Sequence, residues 1–535
     1  MKNQEVFLLS TELDKLPNFL KNRKLAGLQY TLERFKIDTN KNLIINDERL
    51  GARSFRYFDN IASKLAENYY KRNKNSLANN YINEHLGEDF LERLIKKEIL
   101  VKFSRLLRDI YLANILIKKY KLNCIYIYND RIDLEFFQIL KKYFKFSKKI
   151  KYPIFLIIKS KFKKLLAKTF FFLKILYQLE ILFLISLKNW KKEKIEKFTF
   201  ATRLDDGLTF QHFPYSPEIL FKENTREKDV IFYADNYISY ENQKNLRQRK
   251  NYKIIIYIND LMKIISFRSF YKKIYKNNFV LKFSFLKILF QNSVFSSILS
   301  KSFEQIIFWD LFYNLFKVKK NIVLTIDTGV TFYYGNKKRH GVNTSFIYPH
   351  FTELMYFPFY ENLPSSSDWS YLRFDEIRCD RTTKAYLDDL ITYQTFNEIG
   401  FLFQNYIENF QIPKINFLNK ANLRNNKNRI IFFYDASIGT KGVMSLNEYK
   451  NFLIAINNLL YNSDFIIGLK VKDLKVYNHN PDIFKLFINL KKHQRFVFLN
   501  EINIEKYLLL SVPDLIISPP ISTVIFEAIC LKKKY

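Results

Sequence analysis

The chain has 535 residues, 48% hydrophobic and 17% aromatic, with only 11 Gly and 12 Pro; that excludes a collagen-like repeat and a long disordered linker and leaves room for two or three packed domains. A formal net charge of +35 selects anionic partners: acidic lipid, nucleic acid or phosphorylated substrates. Cys124, Cys379 and Cys530 are widely spaced and odd in number, which suits neither a disulfide framework nor a cysteine metal site and points to a reducing compartment.

The first sixteen residues lack a clean apolar core and a small-residue cleavage site, so no signal peptide is expected and the location is read as cytoplasmic. Residues 1–50 alternate short apolar and polar runs with no period that selects an element. From Gly51 to Tyr70, the spacing of Phe55, Phe58, Ala62, Leu65 and Tyr69 predicts an amphipathic helix. A second helix is predicted over Phe90–Lys119, from Leu91, Leu94, Ile95, Ile99, Phe103 and Leu107. Asn123–Asp130 then reads as a strand, so an αβ alternation is already visible.

Residues 141–200 differ in kind, with 17 Lys against 3 Glu, an excess of 14 in a segment without Arg or Asp. Thr169–Leu187 inside it is nearly long enough to span a bilayer, which takes roughly 20 apolar residues. Lys174, Gln178 and Glu180 interrupt it and lysines crowd both flanks, which favours a helix lying in the interface of an anionic membrane over a buried helical hairpin or a true span. Nucleic acid is not an expected partner, because the aromatics form one apolar block and arginine is absent from it.

Val230–Asp235, Lys253–Ile258 and Asn321–Asp327 are apolar strand-type runs, with a long amphipathic stretch over about 260–318 between the last two. Such runs with helical intervals predict a parallel sheet, whose ligands gather at the carboxyl ends of strands. Asp235, Asn259–Asp260 and Asp327 are therefore placed for a site. The stretch Tyr334–Ser345 collects Arg339, His340, Asn343 and Ser345 with two glycines, and reads either as a sugar- or phosphate-recognition loop or as a solvated turn. Residues 383–409 are predicted helical, leading to a second unit.

From Arg429 the pattern is strand, polar loop with Ser437 and Gly439, helix over Leu446–Leu460, and strand over Phe465–Lys472. A helix over Pro481–Lys492, a strand over Phe496–Leu499 and a short helix over Ile504–Leu510 follow. The chain ends with strand Leu515–Ile517, the break Ser518-Pro519-Pro520, and a helical run opened by Ser522 and Thr523 and carrying Glu527. A strand feeding a helix N-terminus presents backbone N–H groups suited to a diphosphate, although an ordinary αβ crossover with Ser522 as N-cap has the same outline. No His/Cys cluster has metal spacing, and no GxSxG, Walker loop or HExxH occurs.

Three features together, Tyr434–Gly439, Lys470-Val471-Lys472 and Ser518–Thr523 with Glu527-Ala528, resemble the donor half of GT-B glycosyltransferases from bacterial surface-polysaccharide biosynthesis and the related CDP-glycerol glycerophosphotransferases. The resemblance implies two Rossmann-like domains, residues 1–410 on the acceptor side with the basic helical insertion at 141–200, and 411–535 on the donor side. It implies a nucleotide-sugar donor, a lipid-linked glycan acceptor at the inner membrane face, and no bound metal. By it, Ser518, Ser522 and Thr523 meet the diphosphate, Glu527 the ribose, and Lys470 or Lys472 the leaving phosphate. Ser437, Gly439, Arg339, Asn343 and Ser345 would contact substrate. The acceptor base would be Asp327 or His340, with Asp205-Asp206 next in line. The family continues past Glu-Ala with a further strand and helices, so a donor domain ending at Tyr535 is expected to be incomplete. A CDP-polyol phosphotransferase and a non-catalytic membrane-associated homologue are the alternatives.

Overall fold

A computed structural model describes residues 5–10, 16–28, 31–32, 35–38, 41–45, 52–77, 79–128, 134–143, 149–151, 154–190, 193–204, 229–235, 238–248, 252–324, 329–347, 369–399, 413–423, 429–435, 446–471, 480–502, 509–518 and 523–530. Within them the fold is α/β, with three large sheets of parallel strands and one small parallel pair.

The first sheet holds β1 (Val6–Leu9), β2 (Lys24–Leu28), β3 (Leu43–Ile45), β4 (Ile125–Tyr128) and β5 (Ile150–Lys151), in the order β3-β2-β1-β4-β5. Between β3 and β4 run α1 (Ala52–Leu77) and α2 (Phe90–Tyr120). Phe58, Ala62 and Leu65 of α1 are buried, as is the whole predicted stripe of α2 from Leu91 to Leu107. The two helices are tied together by Lys96 of α2, which meets Glu67 of α1 at 2.6 Å and Glu92 of its own helix at 2.5 Å.

The basic stretch is neither an insertion within one unit nor a hairpin. It ends the first sheet with β5, crosses as one helix, α3 (Ile154–Ser186), and begins the second sheet. No Gly or Pro occurs between 154 and 186 to interrupt that helix.

The second sheet follows from β6 (Glu196–Arg203), β7 (Val230–Ala234) and β8 (Lys253–Ile256). Then come α4 (Lys276–Gln291), α5 (Ser296–Leu315), β9 (Phe316–Val323), β10 (Asn343–Ile347), β11 (Leu372–Arg373), β12 (Glu376–Cys379), β13 (Ile391–Thr392) and β14 (Thr395–Glu398). Seven of these strands form the order β14-β12-β10-β9-β6-β7-β8, all parallel, and β11 pairs with β13. β9 starts at Phe316 rather than Asn321, because it pairs along β6 from Phe316 opposite Glu196 to Ile322 opposite Thr202. The helix expected over 383–409 is a short one, Arg381–Leu387, followed by β13 and β14. β14 is an exposed edge strand of sequence Thr-Phe-Asn-Glu, without the apolar run that marks an interior strand.

The third sheet takes β15 (Ile430–Tyr434), α6 (Leu446–Asn462), β16 (Ile466–Lys470), α7 (Pro481–Lys491), β17 (Phe496–Phe498), β18 (Leu515–Ile517) and α8 (Thr523–Cys530). Its parallel order is β17-β16-β15-β18. The short helix expected over 504–510 lies largely outside the described residues.

Each large sheet grows outward to both sides from its first strand, the doubly wound pattern. The expectation of two Rossmann-like units thus falls one sheet short: residues 1–399 contain two, and the strands of the first lie largely in the stretch without a readable period. These two share one large apolar core running from Val6 to Ile391, the second sheet carries two smaller clusters around Phe232 and Ile322, and the third sheet has separate cores on its two faces, beginning at Phe417.

Close approach in the third sheet demands glycine at one point. A Cβ on Gly468 of β16 would lie 2.6 Å from the Phe432 ring and 2.9 Å from the Leu499 side chain. Gly468→Ala is expected to destabilise the protein by about 1–3 kcal/mol, measured as a lower urea midpoint at unchanged slope.

Candidate functional site

A doubly wound sheet leaves a crevice at the carboxyl ends of the two neighbouring strands whose connections leave in opposite directions. In the third sheet those strands are β15 and β18, paired through Phe433 and Ile517. The crevice is therefore bordered by Tyr434–Asp435 on one side and Ser518 on the other. Asp435 is buried, accepts a hydrogen bond from the Tyr449 hydroxyl of α6 at 2.9 Å, and donates its N–H to the Lys470 carbonyl at 3.1 Å. Tyr449 is itself fully buried, so the carboxylate is held from below by the helix that follows the first polar loop.

Lys470 ends β16 directly opposite Tyr434, at the same edge of the sheet. Just beyond it Asn500 closes the strand exit, accepting from the Val471 N–H and donating to the Val471 carbonyl, both at 2.8 Å. On the other side, α8 begins at Thr523, a few residues after β18, and packs Val524, Ile525 and Ala528 into the core with Phe417 and Ile516. Burial of that face fixes the axis of α8, so its N-terminal N–H groups open at the same sheet edge as Ser518. The opposite end is anchored by Asp514, whose carboxylate accepts from the Ile430 N–H at 2.7 Å and meets Lys414 at 3.3 Å.

Of the sequence-predicted donor residues, Lys470 and Ser518 and the backbone of Thr523 and Glu527 thus come to one carboxyl edge. Lys472, Ser437, Gly439 and Ser522 lie outside the described residues, as do Asp327, Asp205 and Asp206. Asp435 sat unremarked inside the Tyr434–Gly439 motif, and Tyr449 and Asn500 carried no signal that separates them from other polar residues on a helix or a strand exit.

The stretch 334–345, expected as a loop, is largely helix and strand. Tyr334–Lys338 is one π-helical turn, and Asn343–Ile347 is β10. The intervening helix runs antiparallel to the strands, so Arg339 and His340 arrive at the amino edge of the second sheet, opposite the edge where such sheets bind ligands. There the Arg339 guanidinium grips Asp310 of α5 at 2.5 and 2.6 Å and also donates to Asn278 at 3.0 Å, while His340 Nε2 lies 2.8 Å from the same carboxylate. Ser345 is fully buried and donates to Glu376 at 3.0 Å, and Asn343 accepts from Lys337. Arg339 and His340 accordingly tie the helix after β9 to α5, and Ser345 ties β10 to β12. Next to them, Asn321 donates to Asn336 at 2.7 Å and accepts from the Tyr233 hydroxyl at 2.9 Å, filling the interior with satisfied polar groups.

At the carboxyl edge of the second sheet, Arg203 ends β6 and bonds Asp235 at the end of β7, 2.6 Å from Nε to Oδ1, both side chains nearly inaccessible. Asp235 was expected at a site edge, but its partner is the less expected member: an arginine at the close of a buried parallel strand, beside the β6/β9 reversal. A separate cavity of about 690 Å³ near Tyr70 and Leu77 is lined by Lys74, Glu84, Glu88, Asp89 and Glu92, of which Asp89 pairs with Arg93 and Arg373 and Glu92 with Lys96. Among the described residues, no group of three or more His, Cys, Asp or Glu side chains is arranged to hold a metal ion.

No protein-family model matches the chain, and no curated protein matches it. Its own geometry defines a class: an α/β protein of repeated doubly wound parallel sheets, with the crevice of the third bordered by Asp435, Lys470 and Ser518.

Burial acts to raise the Asp310 carboxyl, but the Arg339 charge and the hydrogen bonds from His340 and Arg339 override it and hold it at about 2. A carboxyl depressed in the folded state stabilises above its unfolded value of roughly 3.9, and that contribution fades as pH falls through about 2. Arg339→Met is expected to cost about 3–5 kcal/mol and to move acid unfolding to higher pH, followed by circular dichroism, while leaving nucleotide affinity unchanged. An unmoved acid transition would reject the structural assignment of this pair.

Proposed function

We propose that the protein is a transferase that uses a nucleotide-activated donor, with the third sheet as its donor half and the second as its acceptor half in a GT-B-like arrangement. One observation carries the reading. The Ser518–Thr523 and Glu527-Ala528 motif, singled out from sequence alone, follows the strand that borders the topological reversal of the third sheet.

In this reading the diphosphate lies over the N-terminus of α8, where N–H groups and the helix dipole favour negative charge. Lys470 and Lys472 offset the charge that develops on the departing phosphate, and Glu527 accepts from the donor ribose. Asp435, held by Tyr449, borders the crevice at the end of β15. Asp327, which follows β9 in the sequence, keeps the role of acceptor base. The acceptor would be a lipid-linked or growing surface glycan. A CDP-polyol donor shares these requirements and differs only in the nucleotide recognised.

A thermal-shift screen with UDP, GDP, CDP and CMP tests the reading. One nucleotide at about 100 times its Kd is expected to stabilise the chain by about 2.7 kcal/mol, with most of the effect lost in Glu527→Ala and in Lys470→Ala. A response to CDP alone would assign a CDP-linked donor. No response from protein with an intact melting transition would reject the donor site.

A further inference from the structure

Helix α3 is apolar on two opposite faces. Ile175, Leu179 and Leu182 face inward and are fully or almost fully buried. Leu166, Phe170, Leu173, Tyr177, Ile181 and Leu184, spaced by three or four residues, form an outward stripe and are 42–61% exposed. α4 lies antiparallel beside it, with Phe172 stacked edge-on to Phe290 at 4.9 Å near one end and Phe183 against Tyr275 at 5.3 Å near the other. On α4 the outward residues Phe279, Val280, Phe283 and Phe290 are 39–59% exposed. Two helices thus present one continuous apolar face, closed at one end by the exposed indole of Trp190 against Phe267.

Three lysines join or flank the two helices and a ring of others surrounds them. Lys282 is buried between α3 and α4, paired with Glu180 and donating to the Leu176 carbonyl at 3.3 Å. Lys174 pairs with Glu304 of α5 at 2.6 Å, so Glu180 and Glu304 are both neutralised, while Glu193 at the Trp190 end is bonded by Ser266 and Ser269. Lys168 lies over the Phe290 ring at 5.7 Å. Lys188, Lys272, Lys273, Lys276 and Lys287 are exposed at or beside the face.

We infer that this two-helix face docks in the plane of an anionic phospholipid bilayer, its aromatic and aliphatic side chains entering the acyl boundary and its lysines meeting headgroup phosphates. Patches of this breadth on a water-facing surface mark an interaction site. The charge decides the occupant. A second copy of a chain carrying +35 would set lysine rims against one another, whereas an anionic surface neutralises them. The packing decides the orientation. Lys168–Ser186 is long and apolar enough to cross a membrane, but spanning would strip Ile175, Leu179 and Leu182 from the core and break the Lys282–Glu180 pair. The inference needs no nucleotide, so it stands or falls separately from the transferase reading.

The test is co-sedimentation of the full chain with vesicles of phosphatidylcholine alone or mixed with phosphatidylglycerol. Binding is expected only to the anionic vesicles, weakened by salt as headgroup attraction is screened. The double variant Phe170→Asp, Ile181→Asp is expected to lose affinity by about tenfold or more with its melting temperature unchanged, because both side chains project outward. Lys272→Glu with Lys276→Glu is expected to weaken binding and flatten the salt dependence. Four results would overturn the inference: undiminished binding by the aspartate variant, equal binding to neutral vesicles, membrane retention that resists both salt and alkali, or a solution dimer that the aspartate variant dissociates.

Discussion

A parallel sheet has no face that can be left to water, because the crossover helices that join its strands must lie on its faces. Strands such as β7 and β15 are buried at every position, with no polar alternation. In residues 1–399 the covering layer is shared: α2 packs on the first sheet and on α1, and α4 and α5 continue the same apolar core to the second sheet. The two sheets are consequently one packing unit, with polar ties such as Arg373 to Asp89 at 3.1 Å and Tyr371 to Ser63 at 3.1 Å at its margin.

That layered arrangement puts strong demands on charged groups inside it. Asp310, Arg339 and His340 meet where α5 faces the helix after β9, and each is acceptable there because the others are present. The Arg203–Asp235 pair meets the same condition at the other edge of the second sheet. Buried chemistry-bearing residues are therefore poor guides to a site in this molecule. Position relative to the strand ends separates them: Arg339 and His340 are at the amino edge, Arg203 and Asp235 at the carboxyl edge.

The third sheet obeys the same topology with its own cores, and its helices α6 and α8 take their orientation from burial rather than from the loops they follow. The excess of lysine is not spread evenly. A large share falls in the connector between the first two sheets, whose described outward residues from Leu166 to Leu184 are apolar and exposed.

Sequence alone determined several element types, because hydrophobic spacing is local: the stripes of α1 and α2, the strands β7, β15 and β16, and the terminal strand and helix all follow from residues within a few positions of one another. It also singled out Lys470, Ser518 and the helix carrying Glu527, since a strand, a break and a helix N-terminus are contiguous in the chain. Tertiary structure decided what depends on distant partners. The first sheet emerges only when the short strands near Val6, Lys24 and Leu43 align with Ile125 and Ile150. Arg339 and His340 read as a binding pair until α5 supplies Asp310, and Asp435 gains a defined orientation only from Tyr449. The outer stripe of α3 is likewise invisible in a helix with two apolar faces, because which face meets the core is fixed by α4 and α5, about a hundred residues further along the chain.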